Sequence, residues 1–125
     1  MGGTRRITIA FMFFLIIFSS CLTQDEMAIK ETLKRYEASY NARDIAGFQS
    51  VMARNLSQSD VEALFRYFDA MEMKIHISKV NSIAINGTIA IANLTIECAM
   101  ADVNNTVMQN FELIKTDGDW KISKI

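Results

Sequence analysis

Met71-Glu72-Met73-Lys74-Ile75-His76-Ile77-Ser78 sets apolar and polar side chains in strict alternation, and a period of two marks a strand with one buried face. Downstream stands Asn86-Gly87, a pair that tolerates positive φ at both positions and so predicts a two-residue hairpin turn with Ile85 opposite Thr88. Counted outward, Ile77 meets Ile96, Ile75 meets Cys98 and Met73 meets Met100. The apolar faces of the two arms coincide, which supports that register. On the other face His76 opposes Glu97 and Ser78 opposes Thr95. Lys79 opposite Leu94 breaks the pattern, which predicts a bulge between Lys79 and Ser82. Beyond the turn cluster Asp102-Val103-Asn104-Asn105, a third strand is expected from Val107 to Lys115, with Val107, Gln109, Phe111 and Leu113 on one side. Asp117-Gly118 closes a second tight hairpin that sets Leu113 opposite Ile122, with Trp120 on the same face.

Upstream of residue 70 the apolar period is helical. From Asp25 to Tyr40, Ile29, Leu33, Tyr36 and Tyr40 form one stripe of an amphipathic helix, which Asn41-Ala42-Arg43 ends. Asp44 can cap a short second helix with Ile45, Phe48 and Met52 turned inward and Gly47 inside it at a propensity cost. Leu56-Ser57-Gln58-Ser59-Asp60-Val61 has the form of a third start, with Ser57 as cap and Leu56 placed to staple onto Val61. Val61, Leu64, Phe65 and Phe68 are its expected buried face. Helices followed by a meander of strands read as an α+β domain: three N-terminal helices packed on a curved four-stranded antiparallel sheet.

The chain has 125 residues, 50% hydrophobic and 22% charged, with no proline, enough for one domain. Thirteen basic against fourteen acidic side chains leave a net charge of -1, and no basic stripe interleaves with aromatics, so nucleic acid is not an expected partner. Arg5-Arg6, the apolar run Ile7 to Phe18 and the small residues Ser19-Ser20 have the charged, apolar, small order of an export signal. The apolar run reaches about 18 Å as a helix, short of the ~30 Å hydrocarbon core. The expected organisation is a signal peptide over 1–20, a lipidated N-terminus and short linker over 21–25, and the folded domain over 26–125. Phe18-Ser19-Ser20-Cys21 resembles the bacterial lipobox, which implies lipid on Cys21 and a domain anchored to the membrane at the cell envelope. The alternative is ordinary cleavage and a soluble secreted product. Without Arg5 and Arg6, eleven basic and fourteen acidic side chains remain, so attachment would rest on Cys21 alone. Asn55, Asn86, Asn93 and Asn104 each open an N-x-S/T sequon, a pattern that would suit a glycosylated secreted protein and that also arises where Asn and Thr fill strands and turns.

Lys34-Arg35-Tyr36-Glu37-Ala38-Ser39-Tyr40-Asn41-Ala42-Arg43-Asp44-Ile45-Ala46-Gly47-Phe48 resembles the opening of the nuclear transport factor two-like superfamily, which includes ketosteroid isomerase and small polyketide cyclases. The ending from Phe111 to Ile122 is similar to the last hairpin of many secreted members. The resemblance implies a cone of helices closed by a curved, cystatin-like sheet, often dimeric through the sheet, with a pocket between the layers. It also implies an isomerase tyrosine at Tyr36. In the same count Asp60 falls where a proton-moving carboxylate would lie, although its place in a helix start assigns it to backbone N–H groups. Gln109 stands where an oxyanion-stabilising acid would; an amide can orient a ligand carbonyl but stabilises developing charge less well.

An open pocket would be lined by Tyr36, Tyr40, Phe48, Phe65, Gln109, Phe111 and Trp120, and would favour a small apolar ligand bearing one hydrogen-bonding group. Tyr36 and Tyr40 would equally serve as core aromatics with hydroxyls at the rim. His76 and Glu97 read as a solvated or interface cross-strand pair. One His and lone Cys98 make no zinc pattern, and no cofactor is expected. The function expected from these residues is a non-catalytic module that binds a small ligand or forms a homodimer through its sheet. An isomerase- or cyclase-like enzyme acting on a small apolar carbonyl compound is the alternative. A ligand binder requires a hydrophobic cavity reaching Gln109. A structural dimer requires a filled interior and an apolar outer face of Ile89, Ile91, Met108 and Ile114, and an enzyme requires a carboxylate or His beside Tyr36.

Overall fold

A computed structural model describes residues 24–125; the signal-type segment and Cys21 lie outside the described residues. Helix α1 covers residues 24–42, and Ile29, Leu33, Tyr36 and Tyr40 are buried along one side of it. Arg43, with φ 56°, ends it in a left-handed turn. Helix α2, Ile45–Val51, is capped by Asp44, whose carboxylate accepts from Gly47 N at 3.1 Å. Helix α3, Gln58–Ala70, is capped by Ser57 through Asp60 N at 3.2 Å. No helix among the described residues is long and apolar enough to cross a membrane.

Strands β1 (Met73–Asn86), β2 (Ile89–Met100), β3 (Val103–Thr116) and β4 (Asp119–Lys124) form one antiparallel sheet in the order β1-β2-β3-β4. Ala90, Ala92, Leu94, Ile96, Phe111, Leu113 and Ile122 from its inner face share a core with the buried faces of the three helices. The alanines let the helices approach β2, and Phe111 fills the space they leave. Three helices on a curved four-stranded sheet is the architecture read from the sequence.

Met71 belongs to the end of α3 and not to a strand: it is the C-cap, and Glu72 turns the chain at φ 52° before β1 opens at Met73. Leu64 is 37% exposed because Val61, Phe65 and Phe68 already define the buried stripe and leave it at the margin. The β2–β3 turn is Ala101-Asp102, and β3 starts at Val103, four residues before the expected Val107. The Asn-rich segment there pairs with the far end of β2, where main-chain hydrogen bonding outweighs the low strand propensity of Asn.

The first hairpin differs more instructively. Asn86 pairs with Ile89, so the turn is Gly87-Thr88, with positive φ at Gly87 alone, the pattern of a type II′ turn with glycine first. Ile85 therefore faces Ala90, not Thr88. Two register shifts follow, between Val80 and Ser82 and between Ile77 and Lys79. Each inserts one unpaired residue into β1, and together they cancel the displacement of the turn, so Ile77 meets Ile96 and Met73 meets Met100 as expected. Lys79 pairs with Thr95 and Val80 with Leu94, in place of Ser78 with Thr95 and Lys79 with Leu94. The bulges stretch the inward spacing to Ile75, Ile77, Val80, Ile83 and Ile85, which keeps five apolar residues on the helix side.

Candidate functional site

The helix-facing interior is an aromatic stack that ties both layers together. Tyr36 lies 5.4 Å from Phe111 edge-on, 5.7 Å from Phe48 and 6.0 Å from Tyr40, measured between ring centroids. Tyr40 stacks on Phe68 at 4.2 Å, and Phe65 meets Phe48 edge-on at 5.3 Å. Such pairings add to the energy of burial. Burial holds the Tyr36 phenol well above its ordinary value, helped by the neighbouring Tyr40. Burial pushes Tyr40 up to about 12, against the opposing charge of Arg43. Tyr40 Oη reaches Met73 Sδ at 4.0 Å, whereas the Tyr36 hydroxyl has no hydrogen-bond partner among the described residues.

Of the seven residues expected to line a pocket, Tyr36, Tyr40, Phe48, Phe65 and Phe111 are thus brought together, ring against ring. Trp120 is buried elsewhere, where its Nε1 donates to Asp25 at 3.1 Å and its carbonyl accepts from Thr32 at 2.9 Å. Gln109 pairs with Leu94 on the inner face and is half-buried, with no side-chain hydrogen bond among the described residues. Beside it on that face Val107 is 41% exposed, so the inner surface emerges from under the helices at this end. Asp60 is exposed in the first turn of α3, and His76, 64% exposed, meets Glu37 of α1 at the outer edge of β1, so neither joins the aromatic stack around Tyr36.

Residues whose role the sequence reading missed hold α1 against the free edge of β1. Arg43 donates to Met73 O at 2.7 Å, and Asn41 both donates to Ile75 O at 2.7 Å and accepts from Ile75 N at 2.9 Å. Glu37 accepts from Ile77 N and lies 3.1 Å from His76 Nδ1. These three side chains replace the missing neighbouring strand and block edge-to-edge pairing there. An Asn one turn after Tyr36 and Glu37, just before a helix stop, was the available signal, but only the packing of α1 on β1 shows what it caps.

Outside the interior, a cleft of about 370 Å³ is lined by Lys74, His76, Glu97, Cys98, Asn104 and Thr106, among others. Lys74, Ala99 and Asn104 form one cross-strand row of outward side chains, and His76, Glu97 and Thr106 the next. Asn41 of α1 and the row between them, Ile75, Cys98 and Asn105, line it as well, so the cleft lies at the β1 edge beside the end of α1 and reaches the outer face. That same outer face carries Ile89, Ile91 and Met108 at 49%, 39% and 70% exposure, with Ile114 half-buried among them. A polar ladder crosses the face between Met108 and the group of Ile89, Ile91 and Ile114: Asn81 donates to Asn93 at 2.9 Å, and Asn93 to Asn110 at 2.8 Å. Among the described residues no three His, Cys, Asp or Glu side chains are grouped to hold a metal.

No protein-family model matches the sequence, and no curated protein is close enough in sequence to count as a relative. Solved structures are similar in fold. A protein of unknown function from Shewanella oneidensis, described as NTF-2 like, superposes with a TM-score of 0.64 at 14% identity, over 79% of this chain and 94% of its own. An NTF2-like protein with a cystatin-like fold from Novosphingobium aromaticivorans gives 0.62 at 12% identity, over 86% and 82%. The fold is nuclear transport factor two-like. A candidate ketosteroid isomerase from Shewanella frigidimarina shares it at 0.62 and 20% identity, over 77% and 90%. A nuclear transport factor two-like cone is compatible with ligand binding between its layers; in this chain Tyr36, Phe48 and Phe111 pack into that space.

Proposed function

We propose that this chain is a non-catalytic assembly module, exported and held at the cell envelope by lipid on Cys21, which pairs with a second copy through the outer face of its sheet. One observation carries the reading: the interior is filled ring against ring while Ile89, Ile91 and Met108 are exposed on the opposite side of the sheet. Exposed apolar side chains gathered on one sheet face, here on both sides of the Asn93–Asn110 row, mark a contact site. The three long strands lie side by side over 12 to 14 residues each. At about 3.3 Å per residue and 4.8 Å between strands, they offer a face of roughly 600 Å², close to the ~800 Å² per partner of a stable interface. The Asn81–Asn93–Asn110 ladder would cross this interface and penalise misregistered pairing, because its remaining amide groups need partners once water is excluded.

Sedimentation of the mature protein tests the reading. The wild type is expected to sediment as a dimer and the double variant Ile91→Glu, Met108→Glu as a folded monomer, each glutamate having to be buried unpaired in the interface. A monomeric wild type at micromolar concentration would overturn it. The enzyme alternative draws on the Tyr36 hydroxyl, which has no partner among the described residues and could meet a small carbonyl compound. It is the weaker reading because Asp60 is exposed at the start of α3, away from Tyr36.

A further inference from the structure

We infer that the domain meets the lipid surface with the end that carries the β1–β2 and β3–β4 turns, and that the His76–Glu97 cleft faces away from the membrane. The inference rests on the lipid anchor at Cys21 proposed above and adds to it a direction.

Three peptide units separate Cys21 from Gln24, the first described residue of α1, so a tether between them spans at most about 11 Å. The start of α1 is fixed at one end of the molecule. The Asp25 carboxylate accepts from Trp120 Nε1 at 3.1 Å and from Lys115 Nζ at 3.2 Å, and these hydrogen bonds hold its pKa below the ordinary value. Lys115 N donates to Thr88 O at 2.7 Å, joining the tip of the first hairpin to the stem of the second. Asp25, Gly87-Thr88 and Asp117-Gly118 therefore share an end.

The other end of α1 is held equally firmly at the opposite pole. Arg43 and Asn41 bond the main chain of Met73 and Ile75, beside the Ala101-Asp102 turn that joins Met100 to Val103. Helix α1 rises about 28 Å over its 19 residues, well beyond the reach of the tether. A bilayer that holds Cys21 thus lies within contact of Asn86, Thr88 and Asp117, while Asp102 and the cleft around His76, Glu97 and Asn104 stand out in solution. The partner surface is a lipid bilayer, reached through the exposed polar turns at Gly87-Thr88 and Asp117-Gly118.

Thiol accessibility in native membranes tests this. Thr88→Cys and Asp102→Cys would each be made in the full-length chain with Cys98→Ser, or Cys98→Ala should the serine variant misfold, and reacted with a bulky impermeant maleimide before and after detergent solubilisation. A thioether-linked Cys21 does not react. The expected result is labelling several-fold slower at Thr88→Cys than at Asp102→Cys in membranes, equality in detergent, and relief of the difference in membranes when a flexible linker is inserted between Leu22 and Thr23. Equal labelling in membranes, on protein whose intact mass includes the lipid, would overturn the orientation and leave the anchor standing. A mature mass without lipid would overturn the anchor and the orientation together.

Discussion

Gly47 shows how a single position reverses a propensity argument. An alanine in a helix interior ordinarily stabilises by about 1 kcal/mol relative to glycine. Here a Cβ would lie 2.5 Å from Asp44 Oδ2 and 2.6 Å from Ser39 Oγ, so the capping carboxylate would have to leave its place over Gly47 N. Gly47→Ala is therefore expected to destabilise the domain by about 1 kcal/mol or more, the usual value of a lost cap, as read from urea midpoints. An unchanged or raised midpoint would show that Asp44 is not held there. Asn41 teaches a related lesson. In the sequence it reads as a helix breaker; in the structure its amide bonds both main-chain groups of Ile75.

At the scale of elements, β1 is legible in pattern throughout and in register from Met73 to Ile77, but not in register from Lys79 to Asn86. Alternation from Met73 to Ile77 and the apolar faces of β1 and β2 fixed which ends meet, because any slip by one residue would turn the apolar face to solvent. The turn itself was misplaced by one residue, since Asn-Gly and Gly-Thr both satisfy hairpin geometry and only the ladder decides between them. The two placements make different demands. With Gly87 at φ +64° and Asn86 paired to Ile89, Gly87→Ala is expected to cost about 1–2 kcal/mol for forcing a Cβ into left-handed backbone. Asn86→Thr should stay within about 0.5 kcal/mol. Chemical denaturation of the two variants measures this, and a larger loss at Asn86 would restore the Asn-Gly turn.

For the whole molecule, the aromatic interior links stability to alkaline pH. A phenol whose folded pKa lies above its unfolded value contributes stability that is complete below the unfolded pKa and is lost as pH rises toward the folded one. The ordinary value is 10.0 and Tyr40 is pushed to about 12, with Tyr36 raised as well. Stability should therefore fall from about pH 10 upward. The double variant Tyr36→Phe, Tyr40→Phe should flatten this decline, as measured by urea midpoints between neutral and strongly alkaline pH; an equally steep decline in the variant would show that other groups govern it. The proposed arrangement also constrains the assembly. If both copies are tethered to one membrane, their residue-24 ends must lie on the same side, so the two-fold axis of the dimer runs along the strands and the membrane normal.

The sequence by itself determined the order of helices and strands, the caps at Asp44 and Ser57, the Asp117-Gly118 turn and the apolar face of each element. These follow from backbone sterics and from side-chain periodicity, both of which act within a few residues. Only the tertiary structure decided that Tyr36, Phe48 and Phe111 close on one another, that α1 caps the edge of β1, that two bulges offset a displaced turn, and that Asp60 and His76 stay outside. Those outcomes depend on how volumes and unpaired main-chain groups of distant segments fit together, and no local pattern contains that information.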